Sequence, residues 1–325
     1  MAPPGGASAR DFHRALPGYG ATPLVGLPDL AAELGVGRLL VKDESSRLGL
    51  PAFKVLGASW ACHQVVQRQP GARLVTATDG NHGRAVARTA AQLGVAATVF
   101  VPDVMLPGTA DLIAAEGAEV VRLDLGYDDA VRAAAAYAES PDRALVQDTA
   151  WEGYTEVPAW IVDGYRTLLE EVDEQLGRAL DLVAVPVGVG SLAEAVVRHH
   201  RRTGSPHPSV LSVEPDSAAC VLASLVAGKT VAVDTAATVM AGLNCGTVSA
   251  SAWPVLRDGC DAAVAVRDDD ALRAVADLGA LGVSSGPSGA ATLAGVRGAL
   301  SDPGRRTALD LPDDAVVVLL STEGA

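Results

Sequence analysis

Short apolar runs rich in β-branched residues alternate with alanine-rich stretches of helical periodicity along most of the chain, and this alternation is the strongest constraint on the fold. The run AVVVLL at 315–320 is continuously apolar, as in a strand buried on both faces, and RLVTAT at 73–78 is rich in β-branched residues. Such strands separated by helices predict parallel sheets covered on both sides, an α/β fold. The predicted strands lie at 38–43, 73–78, 96–102, 118–123, 144–148, 181–187, 210–215, 261–266 and 315–320, and the predicted helices at 52–69, 81–94, 108–117, 127–139, 156–177, 191–202, 217–227, 269–281 and 287–300.

The length and composition fit two domains with substantial cores. The chain has 325 residues, of which 49% are hydrophobic and 20% charged. Residues 53–154 form a β/α block of their own, so we predict a smaller domain there and a larger one from 1–52 and 155–325. Residues 1–20, rich in proline, glycine and serine, are expected to be a loose arm.

Charge and cysteine usage exclude several classes of protein. A net charge of −14 argues against a nucleic-acid partner, which would favour a basic surface. Because no apolar run is long enough to span a bilayer and the N-terminus has no apolar signal core, we expect no membrane association. The cysteines are too widely spaced to indicate a metal site or a disulfide framework, so a reduced, cytoplasmic protein without a metal is expected; they are Cys62, Cys220, Cys245 and Cys260.

Lys54 is the most informative single residue. The chain has three lysines against twenty-two arginines, yet this lysine lies in the apolar run AFKVLG. A buried amine is costly unless it is paired or used chemically, and a Schiff base with an aldehyde cofactor needs such an amine. A lysine that extends from a half-buried helix to solvent explains the pattern equally well at this point.

Three polar loops directly follow predicted strands and are expected to converge at the carboxyl ends of the sheets. They are TDGNHG at 78–83, VGVGSLA at 187–193 and STEGA at 321–325. The second loop, with Glu214 after it, resembles a dinucleotide fingerprint, so an NAD(P)-dependent dehydrogenase is one hypothesis. The same loop can bind a single phosphate at a helix N-terminus. A lysine, a phosphate loop and strand-end hydroxyls together suit pyridoxal phosphate better.

The chain resembles the fold-type II pyridoxal-phosphate enzymes, the tryptophan synthase β-like superfamily, and within it the diaminopropionate ammonia-lyases. The segments that carry the resemblance are KDESSRLGLPAFKVLGAS (42–59), ATDGNHGRAVA (77–87), VQDTAWEGYTEVPAWIVDGY (146–165), VEPDSAACV (213–221), TVMAGLNCG (238–246), SSGPSGAATLAG (284–295) and VVVLLSTEG (316–324). The resemblance implies two open parallel-sheet α/β domains with the cofactor in the cleft between them. It also implies a homodimer.

The resemblance implies a set of cofactor contacts. Lys54 is the Schiff-base lysine, Asn81 binds the phenolic oxygen of the cofactor, and Ser321 or Thr322 faces its pyridine nitrogen. The phosphate is bound by the turn formed by Gly188, Val189, Gly190, Ser191 and Leu192.

The resemblance also implies two active-site acids, Asp79 and Asp148. An acid at Asp79 suits a substrate with a second amine. The residues alone also allow a turn role for Asp79 in Asp-Gly and a helix N-cap role for Asp148. His82 is interpreted as a packed helix-start residue, and Tyr154 as either a pocket wall or interface packing. The residues expected to contact substrate are Thr78, Asp79, Gly80, Asp148 and Tyr154.

The implied reaction is α,β-elimination of ammonia from D- or L-2,3-diaminopropionate, which gives pyruvate and ammonia. The family pattern has a glutamate at Pro287, continues beyond Ala325 and carries an insertion before TDGNHG, so this chain departs from it at three places. A lyase or β-replacement enzyme for another β-substituted amino acid, such as serine or threonine, is therefore the alternative within the superfamily.

Overall fold

The structure is a computed structural model that describes residues 8–78, 80–103, 105, 107–204 and 207–325. Its helices are α1 (Ala9–Ala15), α2 (Pro28–Leu34), α3 (Lys54–Arg68), α4 (Asn81–Leu93), α5 (Pro107–Ala115), α6 (Tyr127–Tyr137), α7 (Glu156–Leu176), α8 (Ser191–His200), α9 (Cys220–Ala227), α10 (Ala252–Gly259), α11 (Asp268–Ala280), α12 (Pro287–Leu300) and α13 (Pro303–Ala308), with 3-10 turns at Asp216–Ala218 and Ala241–Leu243. Its strands are β1 (Leu24–Gly26), β2 (Arg38–Asp43), β3 (Arg73–Ala77), β4 (Ala97–Pro102), β5 (Glu119–Leu123), β6 (Arg143–Leu145), β7 (Leu182–Pro186), β8 (Ser209–Pro215), β9 (Ala262–Val266) and β10 (Val316–Ser321).

The chain divides into two compact units. The first contains the described residues up to Tyr19 together with Lys54–Thr167, and the second contains Gly20–Phe53 and Leu168–Ala325. The division drawn from the sequence placed the N-terminal arm and residues 155–167 with the larger domain, whereas the structure groups them with the smaller unit. Lys54 is the residue at which the chain enters the first unit for its second and longer passage.

The first unit is built on a four-stranded parallel sheet of order β5-β4-β3-β6. α6 packs on one face of this sheet through Ala130, Val131 and Ala134, which contact Val75 and Phe100 in the same core. Every residue of β4 is buried, as its continuous apolar run predicts.

The second unit is built on a six-stranded sheet of order β1-β2-β10-β7-β8-β9, parallel except for β1, which runs antiparallel to β2 at the edge. Its core joins the sheet to α2, α11 and α12. The sequence missed β1, α2, α10 and α13 because each is short, and hydrophobic periodicity is weakest over so few residues. In the described residues no helix is long and apolar enough to cross a membrane.

Part of the expected loose arm is an anchored helix, α1. Ser8 and Asp11 form a reciprocal capping box at its start. His13, fully buried, places its ring nitrogens 2.7 Å from Thr167 Oγ1 and 2.9 Å from the Leu56 carbonyl oxygen. These contacts attach the arm to the first unit, so the arm is not loose over α1.

A buried ionic cluster in the second unit accounts for Lys42. Its Nζ lies 2.7 Å from Glu171 Oε2, and Arg47 binds both Glu44 and Glu171 at 2.6–2.7 Å. All four side chains have zero exposure. Two cations and two carboxylates therefore neutralise each other inside the unit.

Candidate active site

Lys54 is the first residue of α3, and its amine is paired with Asp148. The distance from Nζ to Asp148 Oδ2 is 2.6 Å, and the two side chains are 22% and 7% exposed. An ammonium at a helix N-terminus lies at the positive end of the helix dipole, so the carboxylate is what stabilises charge on this lysine. Lys54 is thus a partly accessible amine held by an ion pair.

Two glycines allow α3 and α7 to approach closely beside Lys54. A Cβ added at Gly57 would lie 2.6 Å from the Tyr165 ring and 2.7 Å from Ile161, and one at Gly164 would lie 2.5 Å from the Leu56 carbonyl oxygen. The close crossing brings the buried Tyr165 side chain next to Lys54. Burial raises the pKa of Tyr165, with Lys54 acting in the opposite direction, so its hydroxyl stays neutral.

Asp148 lies just beyond β6, in a segment that one backbone hydrogen bond and the Gln147 side chain attach to β3. Val146 donates its amide to the Val75 carbonyl at 2.7 Å, and Gln147 Oε1 accepts from the Ala77 amide and the Thr76 hydroxyl at 3.0 Å. Burial pushes the pKa of Asp148 up, but the positive charge and the hydrogen bond of Lys54 oppose it, and the pKa is lowered to about 2. Because the next helix, α7, begins only at Glu156, Asp148 is not a helix N-cap.

The TDGNHG loop begins with a threonine that shapes the start of α4. Thr78 Oγ1 accepts hydrogen bonds from the amides of Gly80 at 3.0 Å and Gly83 at 3.1 Å. Asn81 is the first residue of α4 and is half-buried. Asp79 lies outside the described residues, so its role stays a prediction.

Tyr154 uses its hydroxyl to bind backbone. The oxygen accepts from the Gln147 amide at 2.8 Å and the hydroxyl donates to the Leu145 carbonyl at 3.0 Å, while the ring stacks on Trp151 with centroids 4.4 Å apart. A substrate contact from Tyr154 stays a prediction. Because the hydroxyl binds backbone groups, the aromatic ring would make such a contact.

In the second unit, the glycine turn at 188–192 joins β7 to α8. Gly190 has φ +100°, and an added Cβ would meet Ala252 and Leu256 at 3.0 Å; at Gly188 it would meet Cys245 Sγ at 3.0 Å. The N-cap residue of α8 is Gly190, which has no side chain to bind the first amides of the helix. The turn therefore presents a narrow backbone cradle of the kind that binds phosphate.

The end of β10 carries buried hydroxyl groups. Ser321 Oγ donates to Ser285 Oγ at 2.7 Å, and both side chains are buried. Thr322 accepts, through its carbonyl, the amide of Phe53 at 3.1 Å, so the residue that precedes Lys54 is attached to this strand end. A Cβ at Gly289 would lie 2.8–3.0 Å from the Thr322 amide and the two serine oxygens, so glycine is needed there.

A carboxylate lies at the start of α12, the helix that begins at Pro287. Glu323 Oε1 accepts the Ser288 amide at 3.2 Å, and its carbonyl accepts the Gly286 amide at 3.0 Å. The negative group at this helix start is thus supplied by the segment that follows β10.

Glu214 is not available to bind a ribose. It is fully buried, and its two carboxylate oxygens accept the amides of Val221 and Leu222, each at 2.8 Å. These bonds fix the start of α9. The dehydrogenase hypothesis therefore loses the acidic residue on which it depended.

Within the first unit the structure brings together Lys54 and Asp148, with Thr78, Asn81 and Tyr154 on neighbouring segments. The glycine turn and the hydroxyls of Ser321 and Thr322 belong to the second unit, where the turn follows β7 and the hydroxyls lie at the end of β10. Sequence reasoning missed Gly57, Gly164, Tyr165, Gln147, Ser285 and Glu323, although most of them lie within the segments that carry the resemblance. The described residues contain no cluster of His, Cys, Asp or Glu placed to bind a metal ion.

Comparison with known proteins gives one consistent result. The sequence matches the family described as "Pyridoxal-phosphate dependent enzyme" over residues 15–323. It is 38% identical to the diaminopropionate ammonia-lyase of Escherichia coli K12, over 97% of this chain and 87% of that protein, and 37% identical to the Salmonella typhimurium enzyme, over 96% and 87%. The crystal structure of the E. coli enzyme in complex with an aminoacrylate-PLP azomethine reaction intermediate superposes with a TM-score of 0.90, at 39% identity over 97% of this chain and 87% of that one.

Proposed function

Because the chain belongs to the family of pyridoxal-phosphate-dependent enzymes, we propose that it eliminates ammonia from 2,3-diaminopropionate and releases pyruvate and a second ammonia. The observation that carries the proposal is the 2.6 Å pair of Lys54 Nζ and Asp148 Oδ2, an accessible amine and a buried acid held together at a helix start. The near full-length similarity to diaminopropionate ammonia-lyases supports the choice of substrate.

The residues of both units fit pyridoxal phosphate. The backbone cradle of Gly188 and Gly190 would be filled by any side chain, which suits a phosphate held by amides. Lys54 supplies the amine that this cofactor requires, while Asn81 and the strand-end hydroxyls of Ser321 or Thr322 supply polar contacts for its ring. When bound, the cofactor supplies an electron sink that stabilises negative charge at the substrate α-carbon.

Lys54 is the proton carrier in this proposal. Its Nζ takes the proton from the substrate α-carbon and holds it as an ammonium. The departing β-amine needs one proton to leave as ammonia, and Nζ can donate the proton that it has just received. One residue thus serves both proton transfers.

Asp148 keeps Lys54 in place and stabilises the ammonium that forms when Nζ takes up a proton. With its pKa lowered to about 2, Asp148 remains a carboxylate across the working pH range and is the counter-ion of the Lys54 ammonium. Asp79 is proposed, from the resemblance, as the acid that pairs with the second amine of the substrate or moves a proton on the opposite face.

The test begins with the absorption spectrum of the purified protein and of a Lys54→Ala variant. We expect a visible-region cofactor band that borohydride reduction attaches covalently to Lys54 and that Lys54→Ala lacks. Lys229, exposed on the surface, gives the matched control, and Lys229→Ala should keep the band. A band in Lys54→Ala that borohydride still attaches to the protein would overturn the role of Lys54.

Keto-acid release then identifies the substrate, measured as pyruvate from D- and L-diaminopropionate, serine and O-acetylserine and as 2-oxobutyrate from threonine. The proposal requires the fastest release from a diaminopropionate enantiomer. Fastest release from serine or threonine would assign the protein to the dehydratases of the superfamily, and a product other than a keto acid from O-acetylserine would assign it to β-replacement.

We further propose, from the resemblance alone, that the protein is a cytoplasmic homodimer. Light scattering of the eluted protein distinguishes one 33.0-kDa chain from two.

A further inference from the structure

His82 has one ring nitrogen committed to the backbone. It is the second residue of α4 and is 4% exposed, with Nε2 lying 2.8 Å from the Val146 carbonyl oxygen. A carbonyl oxygen only accepts hydrogen bonds, so Nε2 carries the hydrogen. In the neutral ring, Nδ1 is then an unprotonated acceptor.

That acceptor is buried and faces Asp148. Nδ1 has no hydrogen-bond partner in the described part of the chain, which is uncommon for a buried polar atom. It lies 4.0 Å from Asp148 Oδ2, the same oxygen that is 2.6 Å from Lys54 Nζ. Asp148 Oδ2 therefore lies within 4.0 Å of both a proton donor, Lys54 Nζ, and a proton acceptor, His82 Nδ1.

We propose that His82 Nδ1 receives, through Asp148, the proton that Lys54 must release before its amine can react with the cofactor. The inference rests on the proposed role of Lys54. An N–H bond of Lys54 breaks as the proton moves to Asp148 Oδ2, and that O–H bond then breaks as the proton moves to Nδ1. Lys54 becomes a neutral amine, Asp148 is again a carboxylate, and His82 becomes an imidazolium; the reverse steps return the proton.

The distances permit this transfer after a small adjustment. The second step needs the 4.0 Å separation to shorten to roughly 3 Å, and catalytic hydrogen bonds are often long before the ligand binds. His82 acts through Asp148 and does not itself touch the reacting atoms.

The charges around His82 couple it to Lys54. Burial lowers the pKa of His82, the carboxylate of Asp148 raises it, and the positive charge of Lys54 lowers it. Two tyrosines near Asp148, Tyr154 and Tyr165, stay neutral because burial raises the pKa of each. When Lys54 loses its proton, its repulsion of an imidazolium disappears while the attraction of Asp148 remains. The pKa of His82 therefore rises when Lys54 gives up its proton, which favours proton uptake by Nδ1.

The proposal is tested by reconstitution: the cofactor is removed from the full-length protein, which is then mixed again with pyridoxal phosphate. The rate at which the cofactor band appears in a stopped-flow instrument is measured across a pH series. His82→Gln keeps a donor for the Val146 carbonyl but has no nitrogen that takes up a proton. In His82→Gln we expect the loading rate to fall by about 10²-fold and to lose the pH dependence that titration of a histidine causes, while the final band is unchanged.

His199→Gln is the control. His199 is also buried, but it pairs with Asp173 at 2.7 Å in the other unit, so the loading rate of this variant should match that of the wild type.

Nitrogen-15 NMR of the wild-type protein without cofactor gives an independent measurement that needs no variant. We expect His82 to show a protonated Nε2 and an unprotonated Nδ1 above neutral pH, and the opposite tautomer or a doubly protonated ring would overturn the proposal. Wild-type loading by His82→Gln would overturn it as well. A borohydride-attached band in Lys54→Ala would instead overturn the proposed function, so the two failures are distinguishable.

Discussion

Lys54 Nζ and Asp148 Oδ2 lie 2.6 Å apart although 94 residues separate them in sequence. Their pairing depends on two separate features, the α3 start after Phe53 and the stretch beyond β6 that Gln147 fixes to β3. The amine is accessible on one side and bound to a buried carboxylate on the other, which is what a group that repeatedly gains and loses a proton requires.

Replacement of Asp148 should reduce turnover far more than cofactor binding. Asp148→Asn keeps the side-chain shape but removes the charge that holds the Lys54 ammonium, so we expect kcat to fall by about 10²–10⁴-fold with the cofactor band retained. Asp163 gives the control, because it is a half-exposed partner of Arg166 in the same unit. Asp163→Asn should leave kcat unchanged, and a normal kcat in Asp148→Asn would exclude Asp148 from the proton transfers.

The α3–α7 crossing predicts a steric effect at Gly57. A Cβ there would lie 2.6 Å from the Tyr165 ring, so Gly57→Ala must displace α3 or Tyr165. We expect a loss of about 1–3 kcal/mol in unfolding free energy, together with a lower rate of cofactor loading because Lys54 begins the same helix. Denaturant unfolding and stopped-flow loading measure the two effects.

Gly279 in α11 is the matched control for Gly57. It has no heavy atom within 4 Å of an added Cβ and no positive φ. Gly279→Ala should therefore stabilise the protein by about 0.5–1 kcal/mol through a better helix former. Equal effects at Gly57 and Gly279 would show that the crossing tolerates a methyl group.

The success of sequence reasoning followed the strength of the local signal. β4 and β10 are buried at every position, so their apolar runs predicted them correctly. β1, with three residues, and the capped helix α1 carry too little periodicity to be recognised. The family resemblance located Lys54 and Asp148, but their contact and the Gly57–Gly164 crossing depend on tertiary packing between distant segments, which no local pattern encodes.

The same limit applies to the charges. Lys42 lies near the end of β2 and Lys54 begins α3, and only the structure shows that Lys42 donates hydrogen bonds to the buried Glu171 and to Gln175. The contact of the Glu323 carboxylate with the start of α12 was likewise not predictable from the sequence, because it joins two segments 35 residues apart.

The buried ionic cluster predicts a large stability loss when one carboxylate is neutralised. Glu171→Gln leaves the positive charges of Lys42 and Arg47 with a single buried counter-charge, Glu44. We expect a loss of about 3–5 kcal/mol in unfolding free energy, since an unpaired buried charge is costly. The surface pair of Glu33 and Arg297, at 2.7 Å, supplies the control, and Glu33→Gln should cost about 1 kcal/mol or less. Similar losses for the two variants would show that water reaches the cluster.

Glu214 predicts a specific dependence of stability on pH. Burial raises its pKa from 4.5 to about 7, although the amides of Val221 and Leu222 favour its charged form. Between these two values the folded protein holds a proton that the unfolded chain has lost. The stability contributed by Glu214 is therefore fully present below pH 4.5 and is lost as the pH rises through about 7.

The pH effect is measured as a difference between the wild type and Glu214→Gln. Because the variant cannot ionise at this position, the wild-type advantage in unfolding free energy should shrink by about 1 kcal/mol per pH unit within that window. The other ionisable groups are common to both proteins, so their contributions cancel in the difference. Glu33→Gln, which removes a surface carboxylate, should show no such slope. A wild-type advantage that grows with pH would mean that the two amides outweigh burial and that Glu214 is ionised in the folded protein.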